Sequence, residues 1–196
     1  MTTYTLSNKE VESVLAFNEF ENEQQEFARD LWQMSLYCNG INFKDLIKLR
    51  WDNQIGNFFV IRREKTIRTT RSNPKLIRIP IVPKLAKLIE KIGDKNSPYV
   101  LGMIKDGYTE TQMVDKKNYV AKRVNKNLKW LSEKLNLSVP LRLKTSRDSY
   151  ATTLKRKGVS REIISEKMGH SNILVTSHYL DSFEDEEMFM VNELLP

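Results

Sequence analysis

The sequence predicts one α+β domain, mainly helical with a single small antiparallel β-sheet. Three observations lead to that fold class. The chain has 196 residues, 40% hydrophobic and 29% charged, which suits a globular domain that buries a core. Most segments repeat their apolar residues at helical spacing. Only residues 57–65 and 75–82 are rich in the β-branched and aromatic residues that favour strands.

The first helices are predicted from the signals at their ends. Ser7 stands three residues before Glu10, the spacing of a capping box, and begins the first helix. The second helix runs through "NEQQEFARDLWQMSLYCNG" and ends at Gly40, a residue suited to a left-handed cap. The following "INFKDLIKLRW" is predicted to be a short helix.

After the two strands and a basic connecting loop, the pattern is helical again. Pro83 falls in the first turn of a helix, where proline is accepted, and a long helix is predicted over 109–135. Thr145 stands three residues before Asp148, which predicts a helix start that places Arg147 in the first turn. Two more short helices are predicted in "SREIISEKMG" and "SNILVTSHYL".

The charge is unevenly distributed along the chain. Six of the 25 acidic residues follow Leu180, where there is no lysine or arginine. Residues 1–180 therefore carry 32 basic and 19 acidic residues, a net +13 against +7 for the whole chain. This excess favours a polyanion, nucleic acid first, although a basic solvated surface is the simpler alternative.

The composition also bears on location. Cys38 is the only cysteine, so no intramolecular disulfide framework is expected. The N-terminal sequence lacks the order of a signal peptide, and no apolar run is long enough to cross a bilayer. A cytoplasmic protein without a membrane partner is predicted.

Chemistry on a nucleic-acid backbone requires a nucleophile, donors for the phosphate oxygens and an acid for the leaving group. Arg147 has a planar fork that suits two phosphate oxygens, and Lys144 lies three residues earlier. His170 follows Gly169, and Tyr179 comes nine residues after that histidine. Each residue alone also fits an ordinary role, as a surface cation, a helix C-cap or a core tyrosine.

Taken in order, "LKTSRDSYATTLKRKGVSREIISEKMGHSNILVTSHYL" resembles the C-terminal signature of the tyrosine recombinases, the phage-integrase family. That signature has an arginine box, then Gly-His, then a nucleophilic tyrosine nine residues after the histidine. Upstream, "LYCNGINFKDLIKLRW" and "RREKT" resemble the family's first arginine box and its lysine hairpin. The likeness covers about residues 5–185, and "GINFKDL" resembles mobile-element integrases of Bacteroides-type bacteria.

The resemblance implies a role for each matching residue. Tyr179 would be the nucleophile that forms a 3′-phosphotyrosyl bond with DNA and releases a 5′-hydroxyl. Arg147 and His170 would stabilise the transition state, and Lys65 would protonate the leaving hydroxyl. Asp45 would be a supporting carboxylate. The resemblance implies neither a metal nor a nucleotide cofactor. The phosphotyrosyl bond would conserve the energy of the cleaved ester.

Two positions depart from the family pattern. Asn42 stands where the family has its first arginine, and Lys144 stands where it has a histidine. A hairpin arginine is expected to compensate for Asn42, with Arg63 favoured because it lies two residues before Lys65 and so on the same face of a strand. The other basic residues expected to meet DNA are Arg62, Arg68, Arg71 and Lys75.

The resemblance also predicts the organisation of the protein. A catalytic domain is expected over residues 1–180 and an acidic tail or helix over 181–196, with no N-terminal core-binding domain before Thr5. The expected partner is double-stranded DNA at attachment sites, bound by a protein that is monomeric alone and tetrameric on DNA, with accessory DNA-bending or excision factors. A bacterial, nucleoid-associated location follows.

Two other functions remain open on the sequence. Asn42 and Lys144 are also compatible with a recombinase-derived DNA-binding protein that is catalytically impaired. A type IB topoisomerase would use the same chemistry without strand exchange. The tail either packs on its own domain or docks on a neighbouring subunit.

Overall fold

A computed structural model gives the structure of this protein and describes residues 5–62, 76–169 and 185–196. The described helices are α1 Asn8–Ala16, α2 Glu23–Tyr37, α3 Phe43–Leu46, α4 Pro83–Ile92, α5 Glu110–Lys134, α6 Leu143–Arg156, α7 Arg161–Lys167 and α8 Asp185–Glu193. A 3-10 turn spans Trp51–Asn53, and the strands are β1 Gln54–Ile55, β2 Phe58–Arg62 and β3 Leu76–Pro80. The predicted fold class, mainly helical α+β with a small antiparallel sheet, is confirmed.

The sheet is antiparallel in the order β1-β2-β3. Both predicted strands are present, and β1 is a short addition that the sequence did not predict. Phe59 pairs with Ile79 and Ile61 with Ile77, and these four side chains are buried on one face. The loop predicted between the strands lies outside the described residues.

The central helix is α2, which packs against α4, α5 and α6. Leu31 and Trp32 are completely buried in its core face. The Trp32 indole Nε1 donates to the Thr145 hydroxyl at 3.0 Å, and the hydroxyls of Ser35 and Ser146 lie 2.7 Å apart. These bonds fix the first turn of α6 against the second half of α2.

The first helix begins as predicted. Ser7 accepts from the main-chain N–H of Glu10, and the Glu10 carboxylate accepts from the main-chain N–H of Ser7. The same carboxylate accepts from the main-chain N–H of Ser138 at 2.6 Å. The capping box therefore also joins α1 to the connection between α5 and α6.

The predicted start of α6 is wrong by three residues, because the N-cap is Arg142 and not Thr145. The helix begins at Leu143, whose N–H donates to the Asn125 side chain of α5 at 2.9 Å. The Thr145 hydroxyl then accepts from the N–H of Arg142 at 3.2 Å, so Thr145 lies inside the first turn. Arg147 is consequently the fifth residue of the helix and lies in its second turn. The helix therefore starts earlier than predicted, because Asn125 of the neighbouring helix α5 caps it, and local sequence spacing does not reveal such a partner.

The C-terminal helix α8 packs on its own domain. The rings of Phe189 and Phe58 meet edge to face at 5.0 Å, and Leu195 is only 2% exposed. The Tyr37 hydroxyl donates to the Pro196 carbonyl at 2.9 Å, and the Lys84 ammonium donates to the Leu195 carbonyl at 2.9 Å. The described part of the tail therefore covers the sheet and the end of α2. None of the helices described is long and apolar enough to cross a membrane.

Candidate active site

The turn after α2 approaches α6 at main-chain distance. Asn39 and Gly40 both adopt the left-handed conformation, with φ of +55° and +61°. A Cβ atom on Gly40 would lie 3.0 Å from the Cβ of Tyr150 and 3.1 Å from the Cα of Arg147. Glycine is therefore required both for the backbone conformation and for the close approach to α6. The predicted helix end at Gly40 is wrong by three residues, because α2 ends at Tyr37 and Asn39 is already left-handed, although Gly40 is left-handed as expected.

Arg147 is held between two turns. Its Nη1 donates to the Gly40 carbonyl at 2.7 Å and its Nη2 donates to the Met168 carbonyl at 3.2 Å. Met168 ends α7 and is buried, and Gly169 follows it with a φ of +64°. The guanidinium is half-buried and is oriented by these two carbonyls. The predicted place of Arg147 in the first turn is wrong, because it is the fifth residue of α6.

Asn39 joins the same two turns, and sequence reasoning did not identify it. Its side chain is completely buried. Its amide nitrogen donates to the Arg78 carbonyl at 3.0 Å and to the Lys167 carbonyl at 3.2 Å. Its amide oxygen accepts from the Asn192 side chain at 3.1 Å. The Asn-Gly pair in the sequence signals a turn, but nothing local signals these distant partners.

Lys167 is a buried cation beside this arrangement. Its side chain belongs to the last turn of α7, and the residue is only 3% exposed. Burial lowers the pKa of the Lys167 ammonium to about 7, because desolvation disfavours the charged form. Lys167, directly before Met168 and Gly169, therefore gives up its proton more readily than an exposed lysine.

The structure describes four other predicted site residues. Asn42 lies two residues after Gly40, caps α3 only with its main chain and is exposed. Lys144 is exposed in the first turn of α6, three residues before Arg147 and so on a neighbouring position of the helix surface. Asp45 is half-buried in α3, and Arg62 is exposed at the end of β2.

The remaining predicted site residues lie outside the described residues. They are Arg63, Lys65, Arg68, Arg71, Lys75, His170 and Tyr179. Gly169 follows Met168, whose carbonyl Arg147 contacts, and His170 is the next residue in the sequence. The described part of the site is thus the arginine, the turn after α2 and the end of α7.

A cleft of about 710 Å³ opens elsewhere, between the start of α2 and the middle of α5. Phe27, Tyr119 and Val124 contribute to its wall, and Lys91 bridges Glu26 and Asp30 at its edge. None of the predicted site residues that the structure describes lines it. The candidate active site is therefore defined by polar contacts at helix ends, away from this cleft.

Comparison with known proteins places these features in a family. The family model described as the phage integrase family matches residues 5–186. The chain belongs to this family. The match includes both turns around Arg147 and the stretch that contains His170 and Tyr179.

Two curated relatives are named tyrosine recombinases. The one from Thermosipho africanus (strain TCF52B) is 29% identical over 192 residues, which cover 96% of this chain and 61% of the relative. The one from Pseudothermotoga lettingae is 39% identical over 51 residues, which cover 26% of this chain and 18% of the relative. The chain therefore spans about three fifths of the first relative's length.

Solved structures of the family share the fold. The crystal structure of a lambda integrase dimer bound to a COC′ core site matches with a TM-score of 0.57 and 14% identity, covering 92% of this chain and 61% of that chain. The Tn1549 transposon integrase in complex with circular intermediate DNA matches with a TM-score of 0.57 and 17% identity, covering 93% and 62%. XerA recombinase matches with a TM-score of 0.54 and 12% identity, covering 98% and 64%. At these identities the likeness shows the fold alone.

Proposed function

We propose that the chain is the catalytic part of a site-specific tyrosine recombinase, which cleaves and rejoins duplex DNA. The observation that supports this most directly is the placement of Arg147, whose guanidinium donates to the Gly40 and Met168 carbonyls at 2.7 and 3.2 Å. A rigidly oriented guanidinium stabilises a phosphate transition state without reorganisation. The net charge of +13 on residues 1–180 attracts the DNA backbone.

The proposed reaction is a transfer of the DNA phosphate to tyrosine. The Tyr179 hydroxyl loses its proton to water as its oxygen attacks the scissile phosphorus, the bond to the 5′-oxygen breaks, and a 3′-phosphotyrosyl ester forms. Lys65 supplies the proton to the leaving 5′-hydroxyl, while Arg147, His170 and Lys144 donate to the non-bridging oxygens. Attack by the 5′-hydroxyl of another strand reverses the step. Because the ester energy is retained, the cycle consumes no nucleotide, and the proposed donors to the phosphate are all side chains of this protein.

The exposed Asn42 side chain leaves one family position without a cation. Losing a charged donor to a developing oxyanion costs about 3 kcal/mol. We propose that a hairpin arginine replaces it, Arg63 first and Arg71 second, with Asp45 as a supporting carboxylate. Arg63→Ala should then slow cleavage more than tenfold at unchanged DNA affinity. A rate within twofold of the unaltered chain would exclude Arg63 from this role.

The biological reaction proposed is integration or excision of a mobile element at its attachment sites. The structural relatives support this proposal, since one is a transposon integrase in complex with circular intermediate DNA and another is an integrase dimer bound to a core site. We propose that the protein is monomeric alone and tetrameric on DNA, with accessory DNA-bending or excision factors. Arg62, Arg68, Arg71 and Lys75 would contact the DNA backbone.

A second candidate is a DNA-binding protein that no longer cleaves. The specific observation in its favour is Asn42, an uncharged and exposed side chain where the family has an arginine. This protein would bind DNA with the same basic surface and form no covalent adduct. A topoisomerase of the same chemistry would instead relax supercoiled plasmid without sequence preference.

The test is the trapping of a covalent adduct. The full chain is incubated with nicked, fragmented genomic DNA of its source organism, washed under denaturing conditions, and the retained DNA is sequenced. A recombinase yields adducts at discrete sites, and Tyr179→Phe yields none. Retained affinity without any adduct would establish the binding protein instead. Adducts that persist in Tyr179→Phe would overturn the assignment of the nucleophile.

A further inference from the structure

Asn39 and Arg147 connect the same two turns at adjacent residues. Arg147 donates to the carbonyls of Gly40 and Met168. Asn39, next to Gly40, donates to the carbonyl of Lys167, next to Met168, at 3.2 Å. The turn after α2 and the end of α7 are therefore linked twice, once by a side chain from α6 and once by the Asn39 amide.

The Asn39 amide satisfies all of its hydrogen-bonding groups inside the protein. Its nitrogen has two carbonyl acceptors, the second being Arg78 of β3 at 3.0 Å, and its oxygen accepts from Asn192 of α8. The residue is completely buried, so loss of the amide would leave the Lys167 carbonyl without this donor in the buried part of the network and the Arg78 carbonyl without it at a part-buried position. Groups of this kind fix geometry because no alternative partner, such as bulk water, competes.

The identity of the residue matters as well as its contacts. Asn39 has a φ of +55°, a conformation that asparagine tolerates better than most residues. Aspartate has a similar shape but, when ionised, has no donor for the two carbonyls. Glycine keeps the backbone conformation but has no side chain. Asn39→Asp and Asn39→Gly therefore distinguish the effect of losing the amide donor from the effect of changing the backbone of the turn.

We propose that Asn39 is a positioning residue for Arg147. It sets the distance between the Gly40 and Met168 carbonyls, and these two carbonyls aim the guanidinium. Asn39 touches neither DNA nor the reacting atoms. The proposal rests on the proposed function, because it assigns Asn39 a share of the cleavage rate rather than of DNA affinity.

Asn192 offers a matched control within the same buried network. Its side-chain nitrogen donates to the Asn39 oxygen at 3.1 Å and to the Tyr37 carbonyl at 3.4 Å. Asn192→Ala removes these bonds from the α8 side and leaves both Asn39 donors on the Arg78 and Lys167 carbonyls. It therefore reproduces a loss of buried polar contacts without releasing the end of α7.

The experiment measures the single-turnover rate of adduct formation on the nicked duplex recovered in the trapping assay, at saturating DNA, together with the Kd and the Tm. Asn39→Gly should slow cleavage at least tenfold with the Kd within threefold of the unaltered chain. Asn192→Ala should keep the rate within threefold at a similar loss of Tm. Asn39→Asp provides the same comparison if the glycine variant does not fold.

A double-mutant cycle tests the route through Arg147. In an Arg147→Lys background the further change Asn39→Gly should cost less than threefold in rate, because the guanidinium that Asn39 aims is gone. Equal losses in both backgrounds, or equal losses in Asn39→Gly and Asn192→Ala, would overturn the proposal and leave Asn39 a packing residue. No adduct from the unaltered chain would instead refute the proposed function itself.

Discussion

At the scale of single residues, Gly40 carries two constraints that other residue types cannot meet together. Its φ is +61°, and a Cβ atom there would lie 3.1 Å from the main chain of Arg147. Gly56 has nearly the same φ, +57°, but no atom within 4 Å of a Cβ placed on it. Comparison of Gly40 with Gly56 therefore distinguishes the cost of the left-handed backbone from the cost of steric contact with α6.

Gly40→Ala is expected to destabilise the fold more than Gly56→Ala. Left-handed backbone costs a non-glycine residue about 1 kcal/mol at either position. Contact with α6 should add about 2 kcal/mol at Gly40, since overpacking costs typically 1–3 kcal/mol. Urea unfolding of both variants measures the difference. Equal losses would show that α6 moves aside freely and that the turn does not set the position of Arg147.

Sequence alone identified Arg147 and Gly40 but not the reason they belong together. The Gly-terminated helix and the arginine are local patterns, each visible within a few residues. Their contact joins positions 107 residues apart in the chain, and the acceptor carbonyl of Met168 carries no side-chain signature. Asn39 was missed for the same reason, because its partners are main-chain carbonyls in distant elements.

At the scale of elements, the helix ends decide how the pieces are joined. Helices with local caps, α1 after Ser7 and α5 after Thr109, were predicted at their starts. The start of α6 was misplaced because its first N–H is capped by Asn125 of another helix. Short β1 has too little sequence to show a pattern, and pairs only through residues 54 and 55.

The Glu10 carboxylate makes the stability contributed by the α1 cap depend on pH. Burial raises its pKa, but the main-chain N–H groups of Ser138 and Ser7 and the hydroxyl of Ser7 outweigh that effect and lower the pKa to about 2. A carboxyl with a lowered folded-state pKa stabilises the fold above the unfolded value of about 4.5. That stabilisation is lost as the pH falls from about 4.5 towards 2.

Glu10→Gln should therefore cost about 1 kcal/mol at pH 7, after allowance for screening at a partly exposed site, and much less at pH 2.5. The exposed Glu12→Gln on the same helix is the control and should change little at either pH. Unfolding free energies from urea titrations at several pH values provide the measurement. A Glu10→Gln loss that does not shrink on acidification would contradict this account of the α1 cap.

At the scale of the whole molecule, an acidic C-terminal segment follows a domain that is basic in composition. Sequence left two readings of the tail open, and the described residues pack on their own domain through Phe189, Asn192 and Leu195. Docking on a neighbouring subunit remains a prediction about the assembled complex. Packing on its own domain is compatible with docking on a neighbouring subunit, because α8 can leave its own domain when a partner offers an equivalent surface.

Deleting residues 184–196 should lower the unfolding free energy by about 3 kcal/mol or more, because it uncovers Phe58 and removes buried Leu195. It should also impair assembly of four subunits on two duplexes while single-site binding is kept. Met190→Ser, at a side chain that is 61% exposed, is the control and should be neutral in both assays. Unchanged assembly in native gels together with the stability loss would show that the tail only covers its own domain.

The proposed reaction requires the Arg147 guanidinium to act on the scissile phosphate, and a comparison with Arg29 tests this requirement. Arg29 is a comparable residue outside the site, since its guanidinium also donates to two main-chain carbonyls. Both bonds come from Nη1, to Leu15 at 2.9 Å and to Phe17 at 3.0 Å. Both Arg147→Lys and Arg29→Lys keep the charge and lose the planar fork. The single-turnover rate of adduct formation at saturating DNA is measured for each. We predict a loss of at least 100-fold, about 2.7 kcal/mol, for Arg147→Lys and less than threefold for Arg29→Lys. Similar rates for the two variants would contradict the account.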